Sequence, residues 1–292
     1  MATRGALRFG PHAGALLALL SGALGGPPAT AGAEPVTVPD IVAAQVIEPP
    51  VECAAGSRPY PVVVLPGADG TTADTAAQWA PMVDALQQAG ACVLVFQGGI
   101  IGTQRWAVDP AVSARQVAQF VDEVRAVTGA PKVDIVAHSA GAVIGDYYVK
   151  VLGGFPNVHS LIQLAPETHG SDGSGVLPGL PVPPAQLVAG LPIAPPLAGL
   201  LGVGGALGLL SAAPAVTALG DGPIAQPGVE YSIMATRNDT LATPVGTSSF
   251  IDEPGVTNVF YEDQFPGSAP VDHSSLRSSP NTTEWVVAQL YR

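Results

Sequence analysis

The pentapeptide Ala137-His138-Ser139-Ala140-Gly141 has the makings of a nucleophile site. It follows the apolar, β-branched run 133–137 and precedes residues 140–151, whose spacing predicts a helix. A chain that turns sharply from strand into helix can hold a serine at the apex in a strained conformation. Ala137 and Gly141 are small, where bulkier side chains would collide with the adjoining backbone. The serine then stands at a helix N-terminus, where the NH of Ala140 and the helix dipole favour a developing oxyanion. The bland alternative is a surface serine in an ordinary strand–helix turn.

A serine hydroxyl needs a base. Residues 34–292 hold four histidines. His138 adjoins Ser139 and should point away from it, so it is expected to pack or orient the elbow. His159 precedes the fourth strand, away from the catalytic edge, and His169 follows that strand and could line a pocket. His273, in Pro270-Val271-Asp272-His273-Ser274, comes late, as the order Ser, Asp/Glu, His requires. The acid should follow a strand between them. Asp239, at the end of Met234-Ala235-Thr236-Arg237-Asn238-Asp239, fits and would fix the His273 tautomer. Asp252, Glu253, Glu262 and Asp263 are rivals, Asp272 reads as a loop-forming carboxylate, and Arg237 as a surface charge or a pairing partner. The second oxyanion donor belongs to the loop after the first strand, Leu65-Pro66-Gly67-Ala68-Asp69-Gly70, with the NH of Ala68 as donor and Gly67 permitting close approach.

The elements that must position these residues alternate regularly. Strands are predicted over 61–65, 91–96, 133–137, 161–164, 229–235 and 256–261. Helices are predicted over 76–88, 112–127, 140–151 and 283–290, after an irregular arm at 34–59. Alternation means crossovers, hence an α/β fold with a mostly parallel sheet of about six strands. The 292 residues, 47% hydrophobic and 12% charged, suit a globular chain, not a disordered one. A net charge of −12 excludes a nucleic-acid footprint as the main theme. Two cysteines exclude a cysteine-based zinc site, and no metal or organic cofactor is read.

Residues 1–33 read as a secretory signal peptide. Arg4 and Arg8 precede an apolar run at 13–24, too short to span a bilayer, and Ala31-Gly32-Ala33 is a cleavage site. Residues 34–292 then form the hydrolytic domain of an exported protein, outside the cell or in its envelope. In that compartment Cys53 and Cys92 are expected to form a disulfide, the alternative being two buried thiols. From Gly173 to Gly220 no residue is charged. This Gly- and Pro-rich insertion, about 170–227, is expected to be either a lid that meets a lipid interface or a permanently packed cap.

Together these residues resemble secreted bacterial lipases of the α/β-hydrolase superfamily, the lipase class 2 group. The matching pieces are V-V-V-L-P-G (62–67), A-C-V-L-V-F (91–96), V-D-I-V-A-H-S-A-G (133–141), L-I-Q-L-A-P (161–166), A-T-R-N-D-T-L-A-T-P (235–244), V-T-N-V-F (256–260) and V-D-H-S (271–274). The family usually has His-Gly where this chain has Pro66-Gly67. The resemblance implies an α/β-hydrolase fold, a Ser139, Asp239, His273 triad, a cysteine pair equivalent to Cys53 and Cys92, and an acyl ester or lipid substrate. A cutinase, polyester depolymerase or acyltransferase would use the same triad. A cell-envelope binding protein on this scaffold would carry it inactive.

Overall fold

In the computed structural model the described residues are 45–46, 58–175 and 207–292. Residues 1–33, expected to be a signal peptide, Cys53 and residues 176–206 of the insertion lie outside them. Seven strands among the described residues form one sheet: β1 (Gln45–Val46), β2 (Val62–Leu65), β3 (Val93–Gln97), β4 (Val133–His138), β5 (Val158–Leu164), β6 (Glu230–Ala235) and β7 (Thr257–Phe260). Their order is β1-β3-β2-β4-β5-β6-β7, with β2 to β7 parallel and β1 antiparallel on the outer edge of β3. The mostly parallel sheet of about six strands is therefore present. The arm at 34–59 is not wholly irregular, because its residues 45–46 pair with Gln97 and Phe96 and cover an otherwise open edge.

The central strands are buried on both faces, which explains their unbroken Val/Ile/Leu runs. On one face Trp79, Met82, Val83 and Leu86 of α1 (Thr75–Gln88) pack with Trp285, Val286 and Leu290 of α6 (Pro280–Leu290). On the other, Val117, Phe120, Val121 and Val124 of α2 (Pro110–Thr128) pack with Val143 and Ile144 of α3 (Ala140–Asp146). Sequence marks the ends of α2 clearly. Asp109 accepts the Ala111 NH at 2.8 Å, Pro110 occupies the first turn, and Gly129 closes the helix at φ 70°.

Several elements depart from expectation. The helix predicted over 140–151 is α-helical only to Asp146 and continues as the π-helix Tyr147–Val151, which lays the Tyr148 ring against Gly154. The strand predicted to reach residue 261 stops at Phe260. There the short helix α5 (Tyr261–Gln264) begins, with Glu262 and Asp263 favourably placed in its first turn. The last helix starts at Pro280, whose fixed φ suits a first turn. Within the insertion, α4 (Pro214–Leu219) packs on the body. Leu209 and Leu219 join the core, and Lys150 Nζ donates to the carbonyls of Leu219 and Gly222. No helix among the described residues is long and apolar enough to cross a membrane.

Candidate active site

The end of β4 turns into α3 through Ser139, at φ 52° and ψ −126°. A positive φ on a non-glycine residue is a strained conformation, held here by the Ser139 NH donating to the Leu164 carbonyl at 3.0 Å. Gly141 must be glycine, because a Cβ there would collide with the carbonyl oxygens of Leu65 and Pro66. The elbow is therefore jammed against the end of β2, and the loop carrying Ala68 departs from that same point.

His273 and Asp239 meet at this edge. His273 Nδ1 lies 2.8 Å from Asp239 Oδ2, both side chains almost fully buried. Asp239 Oδ1 accepts the backbone NH groups of Leu241 and Ala242 at 2.8 and 2.9 Å, so its orientation is fixed. A carboxylate at Nδ1 places the hydrogen there and leaves Nε2 as the basic nitrogen. That Nε2 is buried and has no partner. Burial alone would depress the His273 pKa, but the Asp239 hydrogen bond and charge outweigh it and the net shift is upward.

Around this pair lies a polar floor that the sequence did not reveal. Asp69, next to Ala68, accepts the Ser274 hydroxyl at 2.6 Å and Arg277 Nη1, and faces Arg105 Nη2 at 3.6 Å. Arg105 also donates to the Gly67 carbonyl, to the Thr71 carbonyl at 2.8 Å and to Gln78 Oε1 at 2.7 Å. One carboxylate thus ties the Ala68 loop to the loop bearing His273. Burial would raise the Asp69 pKa, but the His138 imidazole, the Arg277 guanidinium and the Ser274 hydroxyl hold it well below the usual carboxylate range.

His138 belongs to the same floor. Its Nε2 donates to the His273 carbonyl at 2.8 Å, since a carbonyl can only accept. Its ring is 4.8 Å from that of His273, and full burial pushes its pKa down to about 3, so it is neutral. It therefore steadies the loop bearing His273 as well as the elbow. Gly67 is required beside it, because a Cβ at 67 would strike its ring.

The remaining sequence candidates are used elsewhere. His159 lies inside β5, not before it, and binds Asp134 at 2.9 Å at the far end of the sheet. His169 is bound to the Phe250 carbonyl at 2.9 Å. Glu253 accepts the NH groups of Ile224 and Ala225, Glu262 accepts the Thr236 hydroxyl, and Asp263 pairs with Arg237 at 2.7 Å. Asp272 accepts the Ser275 NH and hydroxyl, as a loop former should. Asp252 is exposed. Cys92 is buried in the core. No group of three or more His, Cys, Asp or Glu that could hold a metal exists among the described residues.

Residues 60–169, which carry β2 to β5 and the elbow, match the family Lipase (class 2). Aspergillus fumigatus lipase B superposes with a TM-score of 0.62 at 18% identity, over 84% of this chain and 55% of that one, so the present chain spans little more than half of that protein. Bacillus licheniformis lipase BlEst2 in its mature form gives 0.56 at 18% identity, over 85% and 97%. The enol-lactonase from Burkholderia xenovorans gives 0.55 at 15%, over 85% and 96%. No curated protein matches the sequence. The chain has the α/β-hydrolase fold of these structures, and residues 60–169, the segment that carries its elbow, match the class 2 lipases.

Proposed function

We propose that the chain is an exported hydrolase of lipid acyl esters, working through Ser139, His273 and Asp239. The observation that carries this reading is the buried His273–Asp239 pair with its unpartnered Nε2, on the same sheet edge as a serine held at φ 52°. Ser139 attacks the ester carbonyl and His273 Nε2 takes its proton. The NH groups of Ala68 and Ala140 hold the oxyanion, each contributing roughly 3 kcal/mol. His273 then protonates the leaving alcohol and activates the water that releases the acid. Asp239 holds one tautomer and stabilises the imidazolium without being protonated. No metal takes part in this sequence of steps.

Export rests on the n-region, apolar run and cleavage site of residues 1–33, with the domain at 34–292. The same compartment supports a Cys53–Cys92 bridge. The lipid preference rests on the uncharged insertion, whose residues 207–220 pack beside the elbow helix and π-turn through Leu219 and Lys150. The test is hydrolysis of p-nitrophenyl esters from about two to eighteen carbons, by the wild type and by Ser139→Ala. Turnover that depends on Ser139 and persists with long chains supports lipid ester hydrolysis. Turnover confined to acetate would restrict the protein to short esters, and Ser139-independent turnover would remove the triad. Rate should also climb where a partly soluble ester passes its solubility limit, if the insertion opens at an interface. Simple saturation below that limit, with no further rise, would leave a permanently packed cap.

A further inference from the structure

One buried acid at this edge has no place in the steps above. Glu167 follows β5 in the run Leu164-Ala165-Pro166-Glu167, is 6% exposed, and its Oε2 has no hydrogen-bond partner. A polar atom buried without a partner costs free energy and calls for an explanation. The groups that face it come from four separate loops: His273, Asp239, the Ser139 hydroxyl and Asp69. None of them is a fixed cation, and the two buried arginines nearby are committed to Asp69. Thr168, its neighbour, donates instead to Asp146 at 2.8 Å.

We propose that Glu167 is a further catalytic residue of the ester site, acting as a neutral carboxylic acid beside Ser139 with its Oε2 free to present a hydrogen to the bound ester. This rests on the triad reading. Attack by Ser139 places negative charge on the ester oxygen within a water-poor pocket. A carboxylate at 167 would stand beside that charge and oppose it, whereas a neutral acid donates towards it. Glu167 gains and loses no proton in the cycle: the serine proton goes to His273 Nε2 and from there to the leaving alcohol.

The surroundings favour this state. Burial is the largest influence and raises the Glu167 pKa; the His273 imidazole opposes it, the Asp239 charge adds to it, the Ser139 hydroxyl opposes it and Asp69 adds. The net result is a group pushed up to about 7. Below that pH it is neutral, and the site is competent wherever His273 is also unprotonated. Above it, Glu167 ionises, and its charge also favours the imidazolium form of His273, the wrong form for a base. Both effects lower activity as pH rises.

The test is the pH profile of kcat/KM for a p-nitrophenyl ester, read at a wavelength where nitrophenol and nitrophenolate absorb equally. The wild type should show a falling limb with a midpoint near 7. Glu167→Gln keeps the shape and a donor but cannot ionise. It should lose up to about tenfold at the optimum, abolish the falling limb, and move the rising limb to lower pH because His273 no longer feels a carboxylate. A Glu167→Gln enzyme with both limbs where the wild type has them overturns the proposal. So does one inactive at every pH whose Ser139 still reacts with a fluorophosphonate. Wild-type Ser139 that fails to react at all would instead remove the triad reading. Should Glu167→Gln not fold, the wild-type rate of fluorophosphonate labelling carries the decision: a decline above pH 7 supports the neutral acid, and a rate rising steadily to about pH 9 refutes it.

Discussion

Two buried carboxyls at the same sheet edge differ in charge because their surroundings differ. Under the Ala68 loop, Asp69 meets two guanidinium groups and a serine hydroxyl, and stays ionised despite its burial. Beside Ser139, Glu167 meets two other carboxylates, Asp239 and Asp69, and no fixed cation, and burial pushes it up to about 7. Burial sets the cost of a charge, and partners decide whether the charge is kept. The floor is thus a rigid ionic clamp between two loops. The wall, on the proposal above, is an uncharged surface below about pH 7, against which negative charge can develop.

Both regions serve Ser139, so the largest effect should come from losing it. Ser139→Ala should lower turnover on the order of a millionfold with the fold intact. A variant retaining a tenth of the ester hydrolysis would leave floor and wall with nothing to serve. Next, Asp239→Asn should cost about 10⁴-fold in kcat, because Asn cannot enforce the tautomer that leaves Nε2 basic. A loss below tenfold would return the acid's role to a rival carboxylate.

Asp69→Asn strikes the clamp itself. It leaves Arg277 and Arg105 buried without their anion, so stability should fall by about 3 kcal/mol or more, read by denaturant unfolding. Activity should fall mainly in kcat, since the loops for the oxyanion and the base separate together. Unchanged stability would show that the ionic floor contributes little. The smallest effect concerns Asp146, whose buried carboxyl lies under Thr168 and is pushed up to about 7 by burial. Between its ordinary pKa and 7 the native protein binds more protons than the unfolded chain. Stability therefore falls as pH rises through that window. Asp146→Asn should raise stability at pH 8 by on the order of 2 kcal/mol and far less at pH 5. An equal change at both pH values would mean that Asp146 is charged throughout.

Much of this arrangement was legible in the sequence, and for identifiable reasons. Runs such as Val62–Leu65 and Val133–His138 are buried on both faces, so composition alone marks them as strands. The elbow, Asp239 and His273 were legible because strained turns and strand ends demand particular residues at particular places. Asp69, Arg105, Arg277 and Glu167 were not, since each acts through partners far away in the chain. Asp69 meets residues 274 and 277, more than two hundred positions on. The signals that could have found them were local anomalies: one acid inside the Pro-Gly-Ala-Asp-Gly turn, and another directly after Leu-Ala-Pro at a strand end. The π-turn at Tyr147–Val151 had no sequence signal, because its residues carry ordinary helical spacing.

The central claim is that Ser139 is an activated nucleophile served by a buried His273–Asp239 pair. The most direct measurement is reaction of the purified protein with a fluorophosphonate, followed by peptide mapping. The account predicts one stoichiometric adduct on Ser139, lost in Ser139→Ala and strongly slowed in Asp239→Asn. No adduct, or an adduct on any other residue, would contradict it.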